Sequence, residues 1–294
     1  MATGPKESER KRVKKVAFQG ENGAYSEAAM YRFFGEDVEP YPCELSEDTF
    51  ESLNSGQVDF IIVPVENSIA GNVNVNLDLI YLHNFFIIGE LYFPINHCLM
   101  ARPGVAFEDI KVVTSHPVAL AQCRNFLNKH KIKIVPEYDT AGACQMLSLN
   151  DTATEHGAIA SALCENYYDL EIVKTNIQNV KINITRFLVL CPPDHIPKEL
   201  HREKTSMAFS TKHHPGALFN CLKKFAQHGL NLTKIESRPI PNNPFAYNFF
   251  IDFSGSNRED NVLDCLEELG ADANNIKILG SYPSGKKLTK AHSS

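Results

Sequence analysis

Thr185, Arg186 and Phe187 stand in a row at the head of the apolar run Leu188-Val189-Leu190, with Asn183 and Ile184 just before them. The run reads as a buried strand. A hydroxyl at its head can donate a proton or hydrogen bond, and a guanidinium can hold a carboxylate. The triplet could therefore close a catalytic cleft, although it also suits an ordinary strand with a solvated end. Two more segments offer chemistry. Val63-Pro64-Val65-Glu66-Asn67-Ser68-Ile69-Ala70-Gly71 supplies a carboxylate, an amide and a hydroxyl, then a glycine that lets backbone approach a ligand. Its plainer reading is a turn with an Asx cap. Ser115-His116-Pro117-Val118-Ala119-Leu120-Ala121-Gln122-Cys123 opens a helix whose N-terminus could accept an anion. Its plainer reading is a capped helix with Gln122 on its surface.

Short apolar strands and helical stretches alternate from Lys15 to about Pro192 and must position these groups. Val16-Ala17-Phe18 is a predicted strand, followed by the turn-rich loop Gly20 to Ser26, where Ser26 is expected to cap a helix running to about Phe34. Phe60 to Val63 is predicted as a strand ending at Pro64, and Phe85 to Phe93 as another. Val112 to Thr114 precedes a helix from Pro117 to about Lys129. Asp139 or Thr140 caps the next helix. Gly157 to Ala160 is a strand feeding a helix over Ser161 to Tyr168. The alternation predicts an α/β fold with mostly parallel sheets and helices on both faces. The pattern splits near Phe93 to Leu99 and returns near Thr185. That gives lobe 1 at about 15–95 and 184–192, lobe 2 at about 96–183, and a ligand cleft between them.

Cys191-Pro192-Pro193-Asp194-His195-Ile196-Pro197 cannot sustain helix or central strand and opens a linker over 193–203. Beyond it the predicted order over 204–285 is β-α-β-β-α-β, the α+β ferredoxin-like plan. Residues 1–14 form a basic tail expected to be disordered, and 286–294 a second tail.

The 294 residues carry a net charge of -6, so no overall basic surface favours nucleic acid. Eight cysteines include no C-x-x-C pair and no zinc spacing, and read as reduced thiols in a cytoplasmic protein. No apolar run reaches the ~20 residues of a membrane helix, and no signal-peptide pattern is seen. Plastid residence would require a transit peptide outside this sequence.

Taken together, these segments resemble the prephenate dehydratase family, whose plant relatives are arogenate dehydratases. The resemblance runs from about Lys15 to Tyr282. Its pieces are Gly20-Glu21-Asn22-Gly23-Ala24-Tyr25-Ser26, Val63 to Ser68, Ser115-His116-Pro117 with Gln122-Cys123, Thr185-Arg186-Phe187, and distally Gly216-Ala217-Leu218 and Glu236-Ser237-Arg238-Pro239. The last two look like the phenylalanine-binding signatures of an ACT regulatory domain. The resemblance implies a two-lobed, periplasmic-binding-protein-like catalytic domain and loss of water and carbon dioxide from prephenate to give phenylpyruvate. Arogenate would give phenylalanine directly. It implies no metal or organic cofactor. Thr185 matches the catalytic threonine that hydrogen-bonds or protonates the leaving hydroxyl. Glu66 and Asn67 would orient that group, and Gln122 would hold the substrate. Arg186 and the amides near Ser26, Ser68 and Ser115 would grip its carboxylates, with Gly71, His116 and Phe187 also at the substrate. Gly216, Ala217, Leu218, Asn231, Glu236, Ser237 and Arg238 would receive L-phenylalanine as a feedback effector in a homodimer or tetramer. Two departures are Val118, where many bacterial relatives carry Gln, and Ala24-Tyr25 in the glycine loop. The short stretch before the first strand leaves no room for a fused chorismate mutase. A rival reading of the two lobes is a solute-binding or sensor protein; the free cysteines and the distal domain weigh against it.

Overall fold

The computed structural model describes residues 12–150, 152–212, 214–240, 243 and 246–285. Most of the expected basic tail and all of 286–294 lie outside the described residues. Strands β1 (Lys14–Gln19), β2 (Val38–Cys43), β3 (Phe60–Asn67), β5 (Phe86–Pro94) and β11 (Ile184–Cys191) form one sheet in the order β5-β11-β3-β1-β2, with the short β4 (Gly71–Asn72) beside β3. Helices α1 (Tyr25–Phe34), α2 (Ser46–Asn54) and α3 (Asn74–Leu82) connect these strands. A second, five-stranded sheet runs β10 (Glu171–Lys174), β6 (Cys98–Ala101), β9 (His156–Ala160), β7 (Val112–Ser115) and β8 (Lys133–Pro136). It carries α4 (Pro117–Gln122), α5 (Arg124–Lys129) and α6 (Thr140–Ser148).

The apolar runs become strands buried on both faces. On β3, Ile61, Val63 and Val65 enter one core cluster and Phe60 and Ile62 the other. The parallel pairs lie at β2-β1-β3 and β9-β7-β8. The pairs made by the strands near the lobe crossings, β5-β11-β3 and β10-β6-β9, are antiparallel. A chain that crosses and returns must reverse there, so each sheet is mixed.

Residues 204–282 form β12 (Lys204–Thr211), α7 (Ala217–Gln227), β13 (Leu232–Pro239), β14 (Tyr247–Ser254), α8 (Asp260–Leu269) and β15 (Ala273–Tyr282). The strand order is β13-β14-β12-β15, all antiparallel. One face of this sheet, with Met207, Phe209, Ile251 and Phe253, packs under α7 and α8. The other face contributes Ala208, Phe250, Leu279 and Tyr282 to a cluster shared with Phe50, Leu77, Ile80 and Ile87 of the first lobe. Burying one such Phe stabilises by roughly 1.5–3 kcal/mol. Gly280 meets Ile87 across a parallel β15–β5 bridge, joining the two sheets into one of ten strands. A Cβ on Gly280 would sit 2.3 Å from the Ile87 carbonyl oxygen, so only glycine permits this approach.

Several local expectations are corrected. Ser26 is the second residue of α1, not its cap; Ala24 holds that position without a side-chain bond. The helix expected to Lys129 breaks at Cys123 into α4 and α5. Ser161 caps a short 3-10 turn over Ala162–Asn166 rather than an α-helix. Strand β3 runs through Pro64 to Asn67. Pro at this point breaks regular pairing, and the β3–β11 register shifts by one residue: Phe187 faces Pro64 and Arg186 faces Glu66.

Candidate active site

That register shift decides which side chains meet. Ile62 and Pro64 face the cleft side of β3, so strict alternation would send Glu66 into the cleft and Asn67 away from it. Val65 is the extra residue of the bulge, and beyond it the faces exchange. Asn67 turns into the cleft beside Thr185, while Glu66 turns to the distal unit.

The cleft has a volume of about 530 Å³ and is walled by both lobes. Lobe 1 supplies Tyr25, Ser26, Asn67, Gly71 and Thr185; the other lobe supplies His97, His116, Gln122 and Thr140. Phe187 lines its floor and is 2% exposed. Helices α1 and α3 begin on its wall without side-chain caps, and α6 begins there at Thr140. Their N-termini bring positive partial charge to the cleft.

The polar groups at its centre have fixed roles. Asn67 Oδ1 accepts from the backbone N–H of Ile69 at 3.0 Å and of Ala70 at 2.8 Å. Its Nδ2 must then point the other way, where it donates to Thr185 Oγ1 at 2.9 Å and to Asn183 Oδ1 at 2.8 Å. Since Thr185 Oγ1 is already an acceptor, its own O–H is left to donate into the cleft. Gln122 Oε1 accepts from Asn183 Nδ2 at 2.9 Å and lies 2.8 Å from His97 Nε2, which leaves the Gln122 amide N–H groups for a ligand. His116 Nδ1 accepts from the Val118 N–H at 3.2 Å, so a neutral ring carries its proton on Nε2. Burial lowers the pKa of both histidines; the hydrogen bond that His97 donates to Gln122 opposes this at His97, and the charge of Asp139 opposes it at His116. Among the described residues, the lining side chains include no carboxylate, lysine or arginine. The cleft is thus a wall of neutral donors with an apolar floor.

Other expected site residues lie elsewhere. Arg186 is 4% exposed and points to the opposite face of β11 from Thr185, as alternation requires. It donates to Glu90 at 2.7 Å, to Asp252 at 2.6 Å and to the Tyr282 hydroxyl at 3.1 Å, with Lys204 bonded to Glu90. Burial disfavours its charge, but Asp252, Tyr282 and Glu90 outweigh that and hold its pKa well above normal. This guanidinium cannot also grip a ligand in the cleft. Glu66 accepts from Lys234 of β13 at 3.0 Å. The Ser115 side chain is fully buried and donates to the Ile159 carbonyl at 2.6 Å. Ser68 Oγ accepts from the Ile184 N–H and lines a separate cavity with Glu66 and Arg186.

The distal residues divide into two groups. Gly216, at φ +81 before α7, lines a surface cavity with Ala217 and Leu218. Glu236 and Arg238 instead face lobe 1: Asn72 donates to Glu236 at 2.5 Å, and Arg238 makes a two-pronged pair with Asp78 at 2.7 and 3.0 Å. Ser237 and Asn231 are exposed. Asn183, His97 and Tyr25 are the polar residues that pattern reading did not single out. Their only sequence signal is position: Asn183 two residues before Thr185, Tyr25 next to Ser26, and His97 within the crossing at Phe93 to Leu99.

Comparison with known proteins agrees with this architecture. A model of the prephenate dehydratase family matches residues 16–195. The chain is 41% identical over 283 residues to arogenate dehydratase/prephenate dehydratase 1, chloroplastic, of Arabidopsis thaliana, covering 92% of this chain and 72% of that one. Among solved structures it is similar to prephenate dehydratase from Arthrobacter aurescens in complex with L-Phe, with TM-score 0.83 and 34% identity over 91% of this chain and 89% of that one. It is equally similar, at TM-score 0.83 and 32% identity over 92% and 98%, to GqqA, described as a novel type of quorum quenching acylase. The family match spans both lobes and the donor-lined cleft between them, and the chain belongs to the prephenate dehydratase family.

Proposed function

We propose that this protein is a prephenate dehydratase, converting prephenate to phenylpyruvate, water and carbon dioxide in phenylalanine biosynthesis. The observation that carries the reading is the Asn67-to-Thr185 hydrogen bond, which commits the threonine oxygen as acceptor and frees its O–H to donate. In the reaction the bond to the ring carboxylate breaks, and its electron pair completes the aromatic ring. The ring hydroxyl departs as water after gaining a proton. Thr185 stabilises the leaving oxygen by hydrogen bonding; a threonine is too weak an acid to give up its proton unaided, so solvent completes the transfer. The dicarboxylate is received by the uncapped N-termini of α1 and α3 with Gln122 and His116, and its ring by Phe187. A guanidinium would stabilise the ring carboxylate and oppose its loss, which accords with the absence of Arg and Lys among the lining side chains.

The uncharged lining favours prephenate over arogenate, because arogenate's ammonium would find no carboxylate partner among the described lining residues. It also weighs against acyl hydrolysis of the kind ascribed to GqqA, since Thr185 has no base beside it to become a nucleophile. A sensor without catalysis would leave the freed Thr185 O–H without a purpose.

For residues 204–285 we propose an ACT role: L-phenylalanine as effector, bound where two copies meet. Support comes from β13, the outer strand of the ten-stranded sheet with Ile235 exposed, and from Phe219 standing 67% exposed by Gly216. A homodimer or tetramer follows. All eight cysteines are free and buried, which suits a reducing compartment such as the cytoplasm; no described helix is long and apolar enough to cross a membrane. The test is initial rate on prephenate and on arogenate side by side, with and without L-phenylalanine. Turnover with higher kcat/KM on prephenate supports the reading, and turnover of neither ends it.

A further inference from the structure

The catalytic amides are the middle of a longer chain. Asn67 Nδ2 donates to Asn183 Oδ1, Asn183 Nδ2 donates to Gln122 Oε1, His97 Nε2 meets that same oxygen, and Tyr25 Oη lies 2.8 Å from His97 Nδ1. It begins in lobe 1, passes through Asn183 where the chain returns to that lobe, crosses to Gln122 and His97, and ends on Tyr25 of lobe 1. Asn183 and His97 are each 2% exposed. Water therefore has little chance to substitute for a missing partner.

The direction of every link is forced from one end. The backbone N–H groups of Ile69 and Ala70 fix Asn67 Oδ1 as acceptor, so Nδ2 faces Asn183. Asn183 must then accept through Oδ1 and donate through Nδ2. Gln122 must present Oε1 to Asn183. An oxygen facing His97 Nε2 requires a proton on that nitrogen, so neutral His97 is the Nε2–H tautomer and Nδ1 accepts from Tyr25. Tyr25 is half-buried on the cleft wall, and desolvation of its hydroxyl holds its pKa well above normal, which keeps it a donor. Its hydroxyl is also 3.0 Å from the Asn96 carbonyl, a second acceptor if the ring gains a proton.

We propose that Asn183 and His97 are positioning residues for the reaction. They hold the Gln122 carboxamide with its N–H groups toward the cleft, and Asn183 shares the Asn67 amide with Thr185. The proposal deepens the dehydratase reading and rests on it. A carboxylate at 183 can accept from Asn67 but cannot donate to Gln122, whereas a protonated carboxyl can do both.

The test is the pH dependence of kcat and KM for wild type, Asn183→Asp and Asn183→Leu on prephenate, with [15N]histidine NMR on the wild-type protein. At neutral pH the Asn183→Asp carboxylate accepts but cannot donate. We expect kcat to fall on the order of a hundredfold at neutral pH, KM to change far less, and activity relative to wild type at the same pH to recover as pH falls and the carboxyl gains the missing proton. Asn183→Leu should stay inactive at every pH. NMR should show His97 neutral with its proton on Nε2. A wild-type-shaped pH profile for Asn183→Asp, near-normal kcat in Asn183→Leu, or an Nδ1–H tautomer for His97 would each overturn the proposal. Absence of turnover in wild type would instead end the dehydratase reading, while the NMR result would still decide the chain.

Discussion

Asn67 Nδ2 donates to Thr185 Oγ1 at 2.9 Å, and the pair exists because one extra residue, Val65, interrupts β3. The bulge turns Asn67 into the cleft and Glu66 out of it. Positional accuracy at a reacting hydroxyl thus comes from a local fault in a sheet whose two neighbours, β1 and β11, hold β3 in place on both sides.

Glu66 is the first consequence. It pairs with Lys234 across the boundary to the distal unit and its side chain is 44% exposed. Glu66→Gln should therefore leave kcat on prephenate within about threefold, because such a pair contributes under ~1 kcal/mol. Any larger effect should fall on the response to L-phenylalanine. Steady-state kinetics with and without the amino acid checks this; a hundredfold fall in kcat would put the carboxylate back in the chemistry.

Arg186 has a different consequence. It is buried among Glu90, Asp252, Lys204 and Tyr282 at the seam between lobe 1 and the distal sheet. Arg186→Met should destabilise by about 3–5 kcal/mol, since Glu90 and Asp252 lose a buried counter-charge. Burial raises the Asp252 pKa, but Arg186 and Lys204 outweigh it and the net shift is downward. A depressed carboxyl contributes stability above its unfolded pKa of about 3.9 and loses it as pH falls through the lower folded value. Thermal unfolding of the wild type should therefore lose the stability this carboxylate contributes only in strong acid, below about pH 4.

The histidines should set the acid limb of activity. Burial lowers the pKa of His97 and His116 below their ordinary 6.5. Protonating His116 would turn Nδ1 into a donor facing the Val118 N–H and break the N-cap of α4. A lowered folded pKa means that the unfolded chain takes up protons first, so stability should decline as pH falls below about 6.5, while kcat/KM, which reports the folded enzyme, should decline only at the lower pH where the buried rings take up protons. A pH–rate profile with its acid limb above 7 would contradict this assignment.

Much of this was legible in the chain. Thr185, Asn67 and Gln122 converge as the family resemblance implies, and the distal β-α-β-β-α-β order follows from its hydrophobic periods. The expectation that Arg186 grips the substrate failed, because adjacent strand residues face opposite ways and its guanidinium pairs with Glu90 and Asp252 instead. What was not legible depended on irregularity or on tertiary cover. Nothing in Val63-Pro64-Val65-Glu66-Asn67 announces which residue is extra, so the exchange of Glu66 and Asn67 could not be foreseen. Lys204, Ser206 and Asp252 alternate like the wet face of a sheet, yet each is 3–6% exposed because lobe 1 covers them and Arg186 neutralises Asp252. Asn183 and His97 carry no motif of their own; their roles emerge only when both lobes are in place.

The most direct test compares prephenate turnover and prephenate binding for wild type and Thr185→Val, a near-isosteric change that removes only the hydroxyl. Loss of one donor aimed at the developing charge should lower kcat by roughly 10²–10³-fold, with affinity measured by calorimetry little changed. A Thr185→Val enzyme that turns over prephenate at the wild-type rate would contradict the account at its centre.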